Sequence, residues 1–257
     1  MRILVLAWVA LLLSCVNTAQ NTTVLASVLP KNIAERISFR NNTFDIYKVY
    51  DHRNIRFFWK NEKGEHYKNF DTLNAQLCAK NDSLRFAVNG GMYNSKLYPQ
   101  GLYIEDGKTL KKIDKDDGKG NFYMKPNGIF LIDEAGAKVI ETTKFDTHSP
   151  ILFATQSGPM LLIDGAIHPA FNEGSKNLNI RNAVGIADDG AVVFVISNER
   201  VNFYDFASLF KEQYGCKNAL YLDGFVSKCH LPELQRNDKG GNFGVIIGVT
   251  QTFLSGK

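Results

Sequence analysis

The stretch "NAVGIADDGAVVFVIS", Asn182 to Ser197, holds two apolar runs separated by Asp188-Asp189-Gly190. Carboxylates followed by glycine accept the backbone angles of a tight reversal, so the segment reads as a β-hairpin. Downstream, Asn202 is a natural N-cap with Asp205 in the first turn, and Val201 can pack onto Phe206. Phe203, Phe206, Phe210 and Tyr214 then follow helical spacing until Gly215 ends the helix. After it, "NALYLD" reads as a buried strand ending in a carboxylate. Upstream, "FDIYKVY", "IRFFWK", "LRFAV", "GLYIEDGK", "NFYMK", "NGIFLIDEAG" and "PMLLIDG" read as strands, as does "FGVIIGVT" near the end of the chain. "FDTLNAQLCAK" reads as a second helix. The sum is an α+β fold: a single domain with a large, mainly antiparallel or mixed β-sheet and flanking helices.

The chain opens "MRILVLAWVALLLSC": one cation, then an apolar run from Ile3 to Leu13, too short to span a bilayer and flanked as a secretory leader. Its ending, Leu12-Leu13-Ser14-Cys15, is similar to a lipobox, in which the cysteine is acylated; simple cleavage near Ala19 is the other outcome. Residues 1–15 are therefore read as a signal peptide with lipobox, 16–40 as an N-terminal extension and 41–257 as the functional domain. The protein is expected in the periplasm or at the outer membrane, its membrane contact made through the lipid anchor at Cys15 alone. Cys15→Ala should then leave the membrane fraction. Mass spectrometry showing an unmodified mature terminus near Gln20 would refute the anchor.

A net charge of +4 with scattered basic residues gives no support for nucleic-acid binding, while a mildly basic surface favours anionic substrates. With Cys15 acylated, three cysteines remain: Cys78, Cys216 and Cys229. A bridge between Cys216 and Cys229 would brace the segment between them; buried free thiols are the favoured reading.

Polar residues stand at five strand ends: Asn89 after "LRFAV", Asn127 before "GIFLI", Gln156-Ser157-Gly158 before "PMLLI", Arg181-Asn182 before "AVGIA", and Asp223-Gly224 after "NALYL". Any one of these is most simply a turn. Five together are expected to line one pocket, with glycine letting a ligand approach the backbone.

"RFAVNGGMYN", "GLYIEDGK", "KPNGIFLI", "ATQSGPMLLIDGAIHP", "RNAVGIADDGAVVFVIS" and "NALYLDG" occur in this order. Over Arg85 to Val249 the chain resembles the bacterial branch of the phosphodiester glycosidase family. The family's closing Asp-Gly-Gly-Gly-Ser is matched at Asp223, Gly224 and Ser227, whereas Phe225 and Val226 replace two glycines. The resemblance implies hydrolysis of a sugar-1-phosphodiester in an envelope or environmental glycan; no cofactor and no metal ligand is assigned from the residues. Because a phosphate monoester leaves readily, one carboxylate suffices. Asp223 is the candidate, as base for water or as stabiliser of the oxocarbenium-like charge. Arg181 would hold the phosphate with parallel donors. Asn89, Asn127 and Gln156 would orient sugar hydroxyls, with the amides around Gly90-Gly91 and Ser157-Gly158 as a nest for oxygen ligands. Asn182, Gly224 and Ser227 complete the expected substrate-binding set.

Other chemistries are weaker. Ser157 in "TQSGP" lacks the first glycine of a nucleophile elbow, and neither His148 nor His168 is singled out as its base. The five histidines show no metal-ligand spacing, and "DKDDGKGN" only half resembles a calcium loop. A non-catalytic glycan-binding envelope lipoprotein is the alternative from another class. An intact Asp223 with Arg181 favours the enzyme.

Overall fold

The computed structural model describes residues 31–146, 150–223 and 226–252. Its first six strands are β1 (Ile33–Phe39), β2 (Asn42–Val49), β3 (Ile55–Phe58), β4 (Asp82–Asn89), β5 (Tyr103–Glu105) and β6 (Lys108–Lys111). The next six are β7 (Gly128–Asp133), β8 (Gly136–Glu141), β9 (Ile151–Ser157), β10 (Met160–Ile163), β11 (Ala166–Ile167) and β12 (Asn182–Ile186). The last are β13 (Val192–Ser197), β14 (Ala219–Tyr221), β15 (Cys229–Leu231), β16 (Arg236–Asn237) and β17 (Ile246–Thr252), with helices α1 (Phe70–Cys78) and α2 (Phe203–Tyr214).

The 182–197 hairpin forms as read, β12 and β13 pairing antiparallel from Asn182↔Ile196 to Ile186↔Val192. Both of its faces are buried. Val193 and Val195 face α2, while Val192, Phe194 and Ile196 face the central core, which is why the run is continuously apolar rather than alternating. Helix α2 starts at Asn202, whose side chain accepts from Asp205 N, and ends at Gly215 in the left-handed conformation.

The strands divide among three sheets rather than forming one: β1-β2-β13-β12-β14-β10-β11, β16-β15-β4-β17-β3 and β6-β5-β9-β7-β8. Every paired neighbour in them is antiparallel. All three contribute to one central core, with Tyr47 and Phe194 from the first, Phe57, Phe86 and Ile247 from the second, and Tyr103, Phe130 and Phe153 from the third. Helix α1 covers the far face of the second sheet through Phe70 and Leu73.

Some elements differ from the sequence reading. "NFYMK" holds a single 3-10 turn over Asn121–Tyr123, not a strand: Tyr123 N bonds Gly120 O and Met124 N bonds Asn121 O, so local bonds replace a ladder. Residues 33–39, placed in the N-terminal extension, form β1 along the edge of the first sheet. Cys216 and Cys229 lie in different cores as free buried thiols, the favoured of the two readings. The leader, Cys15, Gly224 and His148 lie outside the described residues. Among the described residues no helix is long and apolar enough to cross a membrane, and no group of three potential metal ligands occurs.

Two polar devices join the sheets. The buried Asp45 carboxylate of β2 receives Arg36 Nε at 2.6 Å and Arg236 Nη1 of β16 at 2.9 Å. Burial alone would raise its pKa, but the bonds from Arg36, Arg236 and Asn198 hold it below the usual carboxylate range. At the third sheet, Glu105 accepts the hydroxyl of buried Tyr103 and the backbone N–H of Trp59. Burial pushes Glu105 up to about 7, against the bond from Tyr103, with Asp106 adding to the rise. Folding therefore favours the protonated acid. This contribution is fully present below the ordinary value of 4.5 and is lost as pH rises through about 7. Glu105→Gln should flatten the fall in urea midpoint across that window; an unchanged pH profile would show that Glu105 is not its source.

Candidate active site

Asn89 ends β4, paired with Ile246 of β17, and its side chain is wholly buried. Its Nδ2 donates to the Asp223 carboxylate and to Val226 O, and its Oδ1 accepts from Lys228 N at 2.9 Å. The carboxamide of Asn182, the first residue of β12, donates to Asn89 O at 2.8 Å and to Asn89 Oδ1 at 3.3 Å. Ser227 Oγ reaches Asn182 Oδ1 at 3.4 Å. Asp223 follows β14, and its Oδ1 accepts Val226 N at 3.2 Å. Ser157, ending β9, donates from Oγ to Leu222 O at 3.0 Å. Four strand ends thus bring Asn89, Ser157, Asn182 and Asp223 together, with Ser227 joined to Asn182 from the following coil and Ser157 held through Leu222 O, and Asp223 is only 6 % exposed.

Two phenols lie in the field of the Asp223 carboxylate. Tyr93 is pushed up to about 12, first by burial and then by Asp223. Tyr221 is also pushed up to about 12 by burial; Arg181 works against the rise and Asp223 adds to it. Both phenols therefore stay protonated at neutral pH and can act as O–H donors.

Arg181 precedes β12 and takes the opposite face from Asn182, as strand alternation requires. Its guanidinium donates from Nε to Val201 O at 2.8 Å, from Nη2 to Asn177 O at 2.9 Å and from Nη1 to the Tyr221 hydroxyl at 3.3 Å. It stacks 3.6 Å from the Phe203 ring centroid and is 1 % exposed. Burial lowers its pKa, Tyr221 opposing. Among the described residues no carboxylate lies within ion-pair distance of it. Arg181 therefore meets the Asp223 cluster through Tyr221, not as its direct neighbour.

The expected single pocket of five strand ends is not what forms. Asn127 and Gln156 share a face with Ile129 and Ala154 on the outer core of the third sheet, whereas Ser157 faces inward. Gln156 is consumed there: Oε1 accepts Leu102 N and Asp114 N, and Nε2 donates to Asp114 O at 2.6 Å. Asn127 Nδ2 donates to Phe122 O at 2.9 Å. Of the amides expected to form nests, that of Gly90 is taken by protein, and side-chain or backbone atoms crowd the Cα of Gly91 and Gly158. Gly90 N bonds Val245 O at 2.9 Å, and a Cβ on Gly91, which sits at φ 77°, would come within 2.2 Å of Thr155 Oγ1. A Cβ on Gly158 would lie 2.8 Å from Phe122 O. These glycines let neighbouring segments pack closely.

Tyr93 and Tyr221 were missed by sequence reasoning. Tyr93 lies inside "NGGMYN", and Tyr221 stands two residues before Asp223 in the strand, so period-two alternation was the available signal for the latter.

A family model described as phosphodiester glycosidase matches residues 82–243. The "Uncharacterized protein YigE" of Escherichia coli K12 is 34% identical over 177 residues, 69% of each chain. Among solved structures, the zebrafish N-acetylglucosamine-1-phosphodiester alpha-N-acetylglucosaminidase catalytic domain, auto-inhibited by its pro-peptide, superposes with a TM-score of 0.60 at 17% identity, over 88% of this chain and 84% of that one. A hypothetical protein from Synechocystis gives a TM-score of 0.50 at 12% identity, over 85% of this chain and 61% of that one. At those identities the two structures establish a shared fold.

Proposed function

Because the chain belongs to the phosphodiester glycosidase family, we propose that it hydrolyses the glycosidic bond of a sugar-1-phosphodiester, with Asp223 as the reacting carboxylate. The observation that carries this reading is the Asp223 cluster. A carboxylate is withdrawn from water where strand ends meet, is oriented by Asn89 and Val226 N–H, and has two neutral phenols in its field.

In this reaction the bond between the anomeric carbon and the phosphate oxygen breaks, and its electron pair leaves with the phosphate monoester. Water supplies the new oxygen at that carbon, and its proton passes to Asp223. The same carboxylate, desolvated, stabilises the positive charge that develops on the sugar ring. On this reading the Tyr221 O–H donates to a phosphate oxygen, Arg181 Nη1 already donating to its oxygen lone pair. Arg181 is then a positioning residue that polarises Tyr221, rather than the direct phosphate ligand. The substrate class we propose is a sugar-phosphate linkage of an envelope or environmental glycan.

The test is release of free reducing sugar from a panel of sugar-1-phosphodiesters by the wild-type protein. Tight binding of the panel without any release would refute hydrolysis and leave a glycan-binding protein.

A further inference from the structure

The hairpin that carries Tyr93 has a second side. Tyr93 pairs with Pro99 across it, Asn94 N bonds Tyr98 O, and Leu97 O accepts the Trp59 indole N–H at 2.8 Å. Trp59, His66 and Tyr98 form a mutual edge-to-face cluster, with centroids 5.2 Å apart for Trp59–Tyr98, 5.7 Å for Trp59–His66 and 6.0 Å for His66–Tyr98. The Lys60 ammonium stands 4.2 Å from the Trp59 centroid and 4.7 Å from that of Tyr98.

Among the described residues no carboxylate forms an ion pair with Lys60: Glu62 pairs with Lys80, Glu65 accepts the Asn61 amide, and Glu105, which accepts Trp59 N–H, is pushed by burial up to about 7. His66 Nδ1 is buried with no hydrogen-bond partner among the described residues, a cost that a protein ordinarily avoids. Burial lowers the pKa of the imidazole, and the charges that reach it, Lys60 and Lys68, both positive, lower it further. Tyr98, by contrast, is 45 % exposed, a ring left open to solvent at the edge of a cationic site.

We propose that Lys60 and His66, framed by Trp59 and Tyr98, form a subsite for the anionic group of a saccharide, across the Tyr93–Pro99 hairpin from Asp223. The Lys60 ammonium would meet a phosphate or carboxylate oxygen, with the His66 imidazole walling the subsite, and the Tyr98 ring would pack on the apolar side of the sugar. The subsite stands on its own residues and does not require the chain to be a hydrolase.

Trp59 reports on it directly. The chain has two tryptophans, so in a Trp8→Phe background Trp59 is the one fluorophore of its kind. Glucose 6-phosphate and glucuronate should each give a saturable change in Trp59 emission, and glucose none. Lys60→Gln should weaken the binding of both anions by about tenfold, and Tyr98→Ala should weaken both sugars while leaving inorganic phosphate unaffected. No saturable change with either anion, or equal affinity in Lys60→Gln, would overturn the site. Inorganic phosphate binding as tightly as glucose 6-phosphate would overturn the saccharide part. Since the titration needs no turnover, a chain inert towards every phosphodiester would leave its outcome standing.

Discussion

Asp223→Asn is expected to keep the fold and the affinity for a sugar-1-phosphodiester while lowering kcat by about 10²-fold or more, as loss of a positioned catalytic group typically does. The two effects of the change can be separated by size. Asp223 Oδ1 accepts Val226 N and the other carboxylate oxygen accepts Asn89 Nδ2, so an amide in its place turns one acceptor into a donor and loses one bond. That costs about 1–3 kcal/mol of stability. The loss in rate corresponds to a barrier higher by about 2.7 kcal/mol. The first shows as a lower denaturation midpoint and the second only in turnover by folded protein. The measurement is free-sugar release at saturating substrate, with circular dichroism confirming the fold. Full activity in Asp223→Asn would remove the residue from the mechanism.

That much of this site was legible before the structure follows from strand chemistry. A strand that stays apolar on both faces up to "NALYL" and then presents Asp223 leaves the carboxylate at a buried end, and Asn89 ends "LRFAV" in the same way. These two meet, with Asn182, because β4, β12 and β14 end at one place. Side-chain direction was harder to read. Gln156 and Ser157 are adjacent, so they face opposite sides of β9; deciding which looks inward needs the partner β7 and the outer core of Ile129 and Ala154. The same alternation sends Arg181 to the α2 face and Asn182 to the central one. The glycines carried an ambiguity of another kind. A position that cannot tolerate a Cβ is required equally by an approaching ligand and by an approaching side chain, and at Gly91 the neighbour is Thr155. The division of the strands into three sheets depends on long-range pairing that local patterns do not contain, as with β4 beside β17, far apart in the chain.

Arg181→Lys should be the most destabilising conservative change in the molecule and should also weaken phosphate-bearing substrates. The guanidinium holds three acceptors in three directions, Val201 O, Asn177 O and the Tyr221 hydroxyl, on a fork that an ammonium cannot reproduce. Losing two charge-assisted bonds at a buried position costs about 3–5 kcal/mol. In the proposed reaction the functional part would travel through Tyr221, because Arg181 gives its hydroxyl oxygen a positive partner and would leave the O–H to a phosphate oxygen. Tyr221→Phe isolates that part: the ring stacked edge-on to Phe203 is kept and only the hydroxyl is lost. Measured below the unfolding temperature, Tyr221→Phe should raise KM for a sugar-1-phosphodiester more than it lowers kcat, and in a Lys60→Gln background, which removes the other anion subsite, inorganic phosphate should raise Tm for the Tyr221 protein but not for Tyr221→Phe. If Arg181 were only a structural cation, Tyr221→Phe would lose stability with KM unchanged, and phosphate would stabilise both proteins equally. Either result would sever Arg181 from substrate recognition.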